Sequence, residues 1–196
     1  MENIFFTEKK QFLIFFTFVS IFCLSVIFIE DQLFFFINET LSGSTLDFIF
    51  FYIFIPLFLL LGIIPFLMLF SRHYRRLGIF CMFSGFFCSQ IGSLIKLYFQ
   101  LPRPVETLAV NLVGNWQVSE FSFPSTTTML AFGLALPILL EKPKYSFYFL
   151  AIAALVGFSV IYSGYHFPHD VAAGILLSLA FVIFLKYIKN WLEKII

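Results

Sequence analysis

Residues 11–29 read QFLIFFTFVSIFCLSVIFI, an uncharged run close to the twenty residues a helix needs to cross roughly 30 Å of hydrocarbon. Comparable apolar segments recur at 46–70, 77–99, 126–140, 146–164 and 170–190, so the sequence predicts six transmembrane helices and an all-α, polytopic membrane fold. The 126–140 segment is the shortest. Pro56, Pro65 and Pro137 fall inside segments, where neighbouring helices can satisfy the carbonyls that a proline frees. Of the 196 residues, 61% are hydrophobic and 12% charged, which excludes an ordinary soluble enzyme. A net charge of +1 provides no field to recruit nucleic acid, and none is expected as a partner. Cys23, Cys81 and Cys88 all sit in apolar runs, odd in number and without metal-ligand spacing. No small-residue cleavage site follows the first run, which reads as a retained helix rather than a signal peptide. With no internal repeat or linker, residues 1–196 are read as one transmembrane domain.

Basic residues set the expected orientation. Lys9 and Lys10 precede the first segment, Arg72, Arg75 and Arg76 lie between the second and third, Lys142 and Lys144 between the fourth and fifth, and Lys186, Lys189 and Lys194 at the end. All fall on one face, so both termini are expected in the cytoplasm. Two cations depart from that rule. Lys96 and Arg103 lie on the opposite face, among Glu30, Asp31, Glu39, Asp47, Glu106, Glu120 and Asp170. Lys96 can snorkel to headgroups and Arg103 can pair with Glu106 or a lipid phosphate; alternatively the two form a cationic site for an anionic ligand.

Three stretches on that face carry the polar residues capable of chemistry. The first runs from Lys96 to Arg103-Pro104, where Pro102 and Pro104 restrict the backbone around a guanidinium suited to phosphate. The second, Pro124-Ser125-Thr126-Thr127-Thr128, opens the fourth segment: Ser and Thr cap helices, and a helix start is also an anion site. In the third, from Ser159 to Asp170, His166 and Asp170 stand four apart, so a helix starting near Phe167 or Pro168 lets the carboxylate orient the imidazole. Dipole complementation by Asp170 and interfacial placement of His166 or His169 are the plainer readings. Metal ligation by these three residues is disfavoured, and no metal or cofactor is required.

Together the stretches resemble the three motifs of the type-2 phosphatidic acid phosphatase family, integral-membrane lipid phosphatases that share a helical core with vanadium-dependent haloperoxidases. Lys96, Arg103 and Pro104 match the first motif completely. Pro124 and Ser125 match the second, with Thr126 and Thr127 where Gly and His are expected. Ser159, His166 and Asp170 match the third, with Val160 in place of an Arg. The resemblance implies a phosphohistidine mechanism: His166 attacks phosphorus, Asp170 orients it, and Lys96, Arg103 and Ser125, with Thr126 and Thr127 at the helix start, hold the phosphate. It implies a lipid phosphate or diphosphate as substrate, at the periplasmic or extracellular side of a bacterial inner membrane.

The departures sharpen the expectation. Thr127 cannot act as a general acid near neutral pH, a role typically contributing about 10²–10⁴-fold, and an alkoxide leaving group suffers most from its loss. A polyprenyl diphosphate is therefore favoured over a monoester. His169, beside Asp170 in sequence, is the candidate source of the missing proton or charge. A catalytically impaired member that binds or transports a phosphorylated lipid is the alternative, and a lipid phosphotransferase lies between. The 100–124 loop, with Trp116 and Phe121, is expected to lie at the interface beside the site.

Overall fold

The computed structural model describes residues 2–114 and 116–195; the side chains of Lys9, Lys10 and Lys194, used above for orientation, lie outside the described ones. The chain forms α1 (Glu2–Phe35), a π-type turn (Phe36–Thr40), α2 (Ser44–Met68), α3 (Arg75–Phe99), the short α4 (Pro104–Thr107), α5 (Thr126–Glu141), α6 (Pro143–Tyr162) and α7 (Pro168–Ile195). Each of the six long helices falls on one of the six apolar segments. Pro56 and Pro65 are accommodated inside α2 and Pro137 inside α5.

Four of these helices carry, among the described residues, a stretch long and apolar enough to cross a membrane: Leu13–Thr40, Arg75–Thr107, Lys144–Tyr162 and Pro168–Trp191. The chain is thus an all-helical, multi-pass membrane protein. α5 presents a shorter apolar stretch, Thr126–Glu141, in line with its place as the shortest segment, while in α2, 25 residues long, the side chains of residues 51, 54 and 55 lie outside the described ones and the described apolar stretch is Pro56–Met68. Sixteen residues of α5 measure only about 24 Å. This helix is sheathed by its neighbours, with Met129 and the run Ala131–Leu139 all buried, so it faces protein more than lipid.

α5 packs most extensively on α3. The two backbones come close at Gly85 and Gly133: a Cβ on Gly133 would come within 2.8 Å of the Gly85 Cα, and one on Gly85 within 2.6 Å of Leu134 Cγ. Small residues at a helix crossing let backbones touch where hydrocarbon solvent gives no hydrophobic drive. Ser84 Oγ adds a hydrogen bond across the seam to the Gly133 carbonyl, at 2.7 Å.

At one end of the bundle Lys189 pairs with Glu141 at 2.8 Å and lies over the Phe80 ring, and Lys186 donates to the Leu140 carbonyl. Here α3 begins, α5 and α7 end, and most of the described basic residues gather. The opposite end is tied by Asn38, fully buried in the π-type turn. Its Nδ2 donates to the carbonyls of Asn111 and Tyr162, both at 2.8 Å, and its Oδ1 accepts from the Asn111 amide at 2.9 Å. One side chain thereby joins α1, the 108–125 loop and the end of α6. Asn38→Leu should lower the denaturation midpoint in detergent by several degrees, since each buried backbone group left unpaired costs roughly 1–3 kcal/mol. An unchanged midpoint would remove Asn38 from this role.

Candidate active site

The third stretch folds as a tight turn into a helix start. Gly164, at φ +76°, has the left-handed torsion that a side chain disfavours, and a Cβ there would meet the Asn111 carbonyl at 3.1 Å. The Val160 carbonyl accepts from the amides of Tyr165 (3.2 Å) and His166 (3.1 Å), aiming His166 inward. α7 then begins at Pro168, a favoured residue in a first turn. Asp170, in that turn, reaches back with Oδ2 to the Phe167 amide at 2.8 Å, capping the helix with its own acid.

The same Oδ2 accepts from His166 Nδ1 at 3.2 Å and from the Ser122 hydroxyl at 2.5 Å. Ser122 Oγ also lies 3.2 Å from His166 Nδ1. A hydroxyl has one proton to donate, and Asp170 takes it, so His166 Nδ1 carries its own proton and Nε2 is left with a lone pair. Arg103 Nη1 stands 3.4 Å from that Nε2. His166 is 4% exposed and Asp170 wholly buried. Burial pushes the His166 pKa down to about 4; Asp170 pulls the other way, and Arg103 and Lys96 add to the lowering. The imidazole is neutral at physiological pH, oriented by a carboxylate and faced by a cation, the arrangement of a nitrogen nucleophile.

The two exceptional cations converge here. Arg103, 3% exposed, donates from Nε to the Ser119 carbonyl (2.7 Å), from Nη1 to the Tyr165 carbonyl (2.7 Å) and from Nη2 to Ser119 Oγ (3.1 Å). Its guanidinium does not pair with Glu106, whose carboxylate instead lies 3.4 Å from the Arg103 backbone amide. Lys96, equally buried, donates to the carbonyls of Phe121 and Ser122 at 2.6 Å each. The ammonium keeps a third proton, and the guanidinium a fifth N–H, for a ligand. Buried cations whose partners are mostly neutral carbonyls leave a site short of negative charge, which suits an anion.

Ser125 is buried at the start of α5, where its Oγ accepts from the Thr128 amide and hydroxyl. Its amide donates to the Asp170 carbonyl at 3.1 Å, and a Cβ on Gly174 of α7 would meet its carbonyl at 3.1 Å, so the α5 start lies directly against α7. Thr126 and Thr127 are half-buried in that first turn, where helix geometry leaves amides without an intrahelical acceptor. Ser159 is turned away, donating to the Leu155 carbonyl in its own helix.

Residues that the motif reading passed over complete the geometry. Ser122 and Ser119 come from the loop, which is stitched over the α6–α7 turn by Val113 to Ser163, Trp116 to Tyr165 and Tyr165 to Gly114. A hydroxyl two residues before Pro124 was the available signal for Ser122. Glu30, read only as a marker of orientation, reaches His169. Beside the site, a cavity of about 740 Å³ opens between α1, α5, α6 and α7, lined by apolar side chains including Phe22, Phe132, Phe158, Ile161 and Val171, the residue after Asp170.

One end of the helical membrane bundle thus buries a carboxylate-oriented histidine against a lysine and an arginine. The family model of the PAP2 superfamily matches residues 76–194, and the chain belongs to that family. It is 31% identical over 128 residues to the bacitracin transport permease protein BcrC of Bacillus licheniformis, covering 65% of this chain and 63% of that one. It is 29% identical over 113 residues to an undecaprenyl-diphosphatase of Sulfolobus acidocaldarius, covering 57% and 55%. The matches thus span less than two thirds of either curated relative. Among solved structures, LpxE of Aquifex aeolicus is similar with a TM-score of 0.63 and 30% identity, over 81% of this chain and 99% of that one. A PAP2-type phosphatidylglycerolphosphate phosphatase from Bacillus subtilis shares the fold, with a TM-score of 0.56 and 23% identity over 97% and 98% of the two chains.

Proposed function

We propose that this protein is a metal-independent lipid phosphate phosphatase or phosphotransferase that favours a polyprenyl diphosphate. Family membership supports phosphatase activity in general; the contact of Arg103 with His166 Nε2, while Asp170 holds Nδ1, is the observation that carries the mechanism. His166 Nε2 attacks the terminal phosphorus, an N–P bond forms as the P–O bond to the leaving oxygen breaks, and the lipid monophosphate departs with those electrons. Asp170 stabilises the positive ring that results. Water, or a lipid hydroxyl in the transferase version, then attacks phosphorus as the N–P bond breaks and its electrons return to Nε2, leaving neutral His166, while the proton of the attacking oxygen passes to the released phosphate or to solvent. Arg103, the free proton of Lys96 and the first-turn amides of α5 beside Ser125, Thr126 and Thr127 neutralise the equatorial oxygens, the main demand of phosphoryl transfer. Lipid tails occupy the apolar cavity. With six spans and cytoplasmic termini the site faces the periplasm or exterior of a bacterial inner membrane.

The test is phosphate release by the detergent-purified protein from a polyprenyl diphosphate and from phosphatidic acid, with chelator present. Release from the diphosphate, faster than from the monoester, is expected. No release from either, with lipid binding that depends on Arg103, would favour the binder reading that Thr127 and Val160 keep open. The pH profile carries a sign as well. Catalysis needs neutral His166, and its lowered pKa means the neutral form is lost only as pH falls through about 4. kcat/KM should hold across pH 5–7, whereas a histidine at its ordinary value of about 6.5 would cost activity throughout that range.

A further inference from the structure

The nucleophile's carboxylate has a second neighbour that the motifs do not explain. Asp170 Oδ2 is taken by His166, Ser122 and the Phe167 amide, while Oδ1, buried and without a hydrogen bond, has His169 Nε2 3.2 Å away as an ion-pair contact. The other ring nitrogen of His169, Nδ1, is hydrogen-bonded to Glu30 Oε1 of α1. The same Glu30 oxygen accepts from the His169 backbone amide at 3.0 Å, satisfying a donor in the first turn of α7. Next to Glu30, the backbone of α1 leaves helical torsions at Ile29 (φ −136°, ψ 31°). His169 is held flat by Phe167, the two rings being nearly parallel at 5.4 Å, and Phe123 lies 5.9 Å away. With one carboxylate hydrogen-bonded to Nδ1 and a second in ion-pair contact with Nε2, the charged ring protonated on both nitrogens is the favoured form. Neither nitrogen is then free to donate to a leaving group.

We propose that Glu30 and His169 are a positioning pair for the candidate nucleophile: the imidazolium of His169, fixed by Glu30, binds Asp170 Oδ1 and so reserves Oδ2 for His166, keeping His166 in the tautomer whose Nε2 is unprotonated. The pair rests on the phosphohistidine reading for its catalytic meaning, but its geometry is independent of it. Because Oδ1 makes no hydrogen bond, the facing cation is what offsets the carboxylate's buried charge on that side; without it the carboxylate is less firmly fixed, loosening its hold on Nδ1–H. Glu30 from α1 and Asp170 from α7 are the charged groups against His169; the loop presents the Phe123 ring.

The chain has three histidines, His73, His166 and His169, so ¹⁵N-histidine NMR of the detergent-solubilised protein can be assigned by single substitutions. At pH 7 the wild type should show His169 protonated on both nitrogens and His166 as one neutral tautomer. In E30Q, His169 should lose a proton and His166 should become a mixture of tautomers; H169Q should also mix the His166 tautomers, and E30D should restore the wild-type spectrum. Where phosphate release is measurable, E30Q should reduce kcat on the order of tenfold with KM little changed, the scale of losing an outer partner of a functional group. A simple helix cap would lower the denaturation midpoint without touching the His166 tautomer. A His166 spectrum unchanged in both E30Q and H169Q overturns the proposal. The spectra do not depend on activity, so a wild-type protein that releases no phosphate overturns the catalytic reading alone.

Discussion

His166→Ala should abolish phosphate release, lowering kcat by at least about 10⁴-fold, because in the proposed route it removes the atom that carries the phosphoryl group rather than one contributor to its stabilisation. Alkali-quenched ³¹P NMR during turnover should show a phosphohistidine signal in the wild type and none in the variant. Asp170→Asn is the finer probe. Oδ2 accepts from Ser122, His166 and the Phe167 amide at once, and His169 faces Oδ1. An amide placed there offers N–H groups to one of these two sets of donors, whichever oxygen it replaces. The resulting loss of the correct imidazole tautomer should cost on the order of 10⁴-fold, as when an orienting Asp becomes Asn in a Ser-His-Asp triad. Retention of most activity by His166→Ala would place the nucleophile elsewhere and sink the phosphohistidine route. Ser122→Ala should fall between: His166 keeps its own bond to Asp170, but a wholly buried carboxylate loses its shortest partner.

How much of this was legible in sequence depends on how far apart the interacting residues lie along the chain. Helix positions were readable because each long apolar run is its own signal, and α3, α5 and α7 begin within two residues of their expected starts. His166 and Asp170 were readable as a pair because the helix start at Pro168 converts a spacing of four into a contact. Lys96 and Arg103 stood out through an orientation rule they break, but their partners did not. Backbone carbonyls of Ser119, Phe121, Ser122 and Tyr165 hold them, and a carbonyl leaves no mark in sequence. Ser122 meets residues 44 and 48 positions away, and Glu30 meets one 139 away. Such contacts follow from how α1 and the loop dock on α7, not from any local pattern. The short length of the 126–140 segment was readable, but its burial was not, because hydropathy does not distinguish an apolar helix wrapped by protein, as α5 is, from one facing lipid.

Thr127→His should raise hydrolysis of a monoester such as phosphatidic acid by about 10²-fold or more while changing diphosphate hydrolysis little, collapsing the difference between the substrates. The reason lies in the leaving groups. Breaking the P–O bond of a monoester releases an alkoxide, which needs a proton as it departs, and general acid catalysis of that step is typically worth about 10²–10⁴-fold. A diphosphate releases a phosphate whose charge is already spread over its oxygens, so a donor gains it little. At position 127 this chain has a hydroxyl that does not ionise usefully near neutral pH, and His169 is not available as a substitute because its ring nitrogens face Glu30 and Asp170. The site is half-buried in the first turn of α5, a helix start that disfavours a protonated ring, so the introduced imidazole should act best below neutrality. The gain in monoester turnover should therefore grow as pH falls from 8 to 6, until His166 itself begins to take up protons nearer 4. An equal gain on both substrates would mean that position 127 acts through binding, and no gain on either would mean that the leaving oxygen departs on another side of the site.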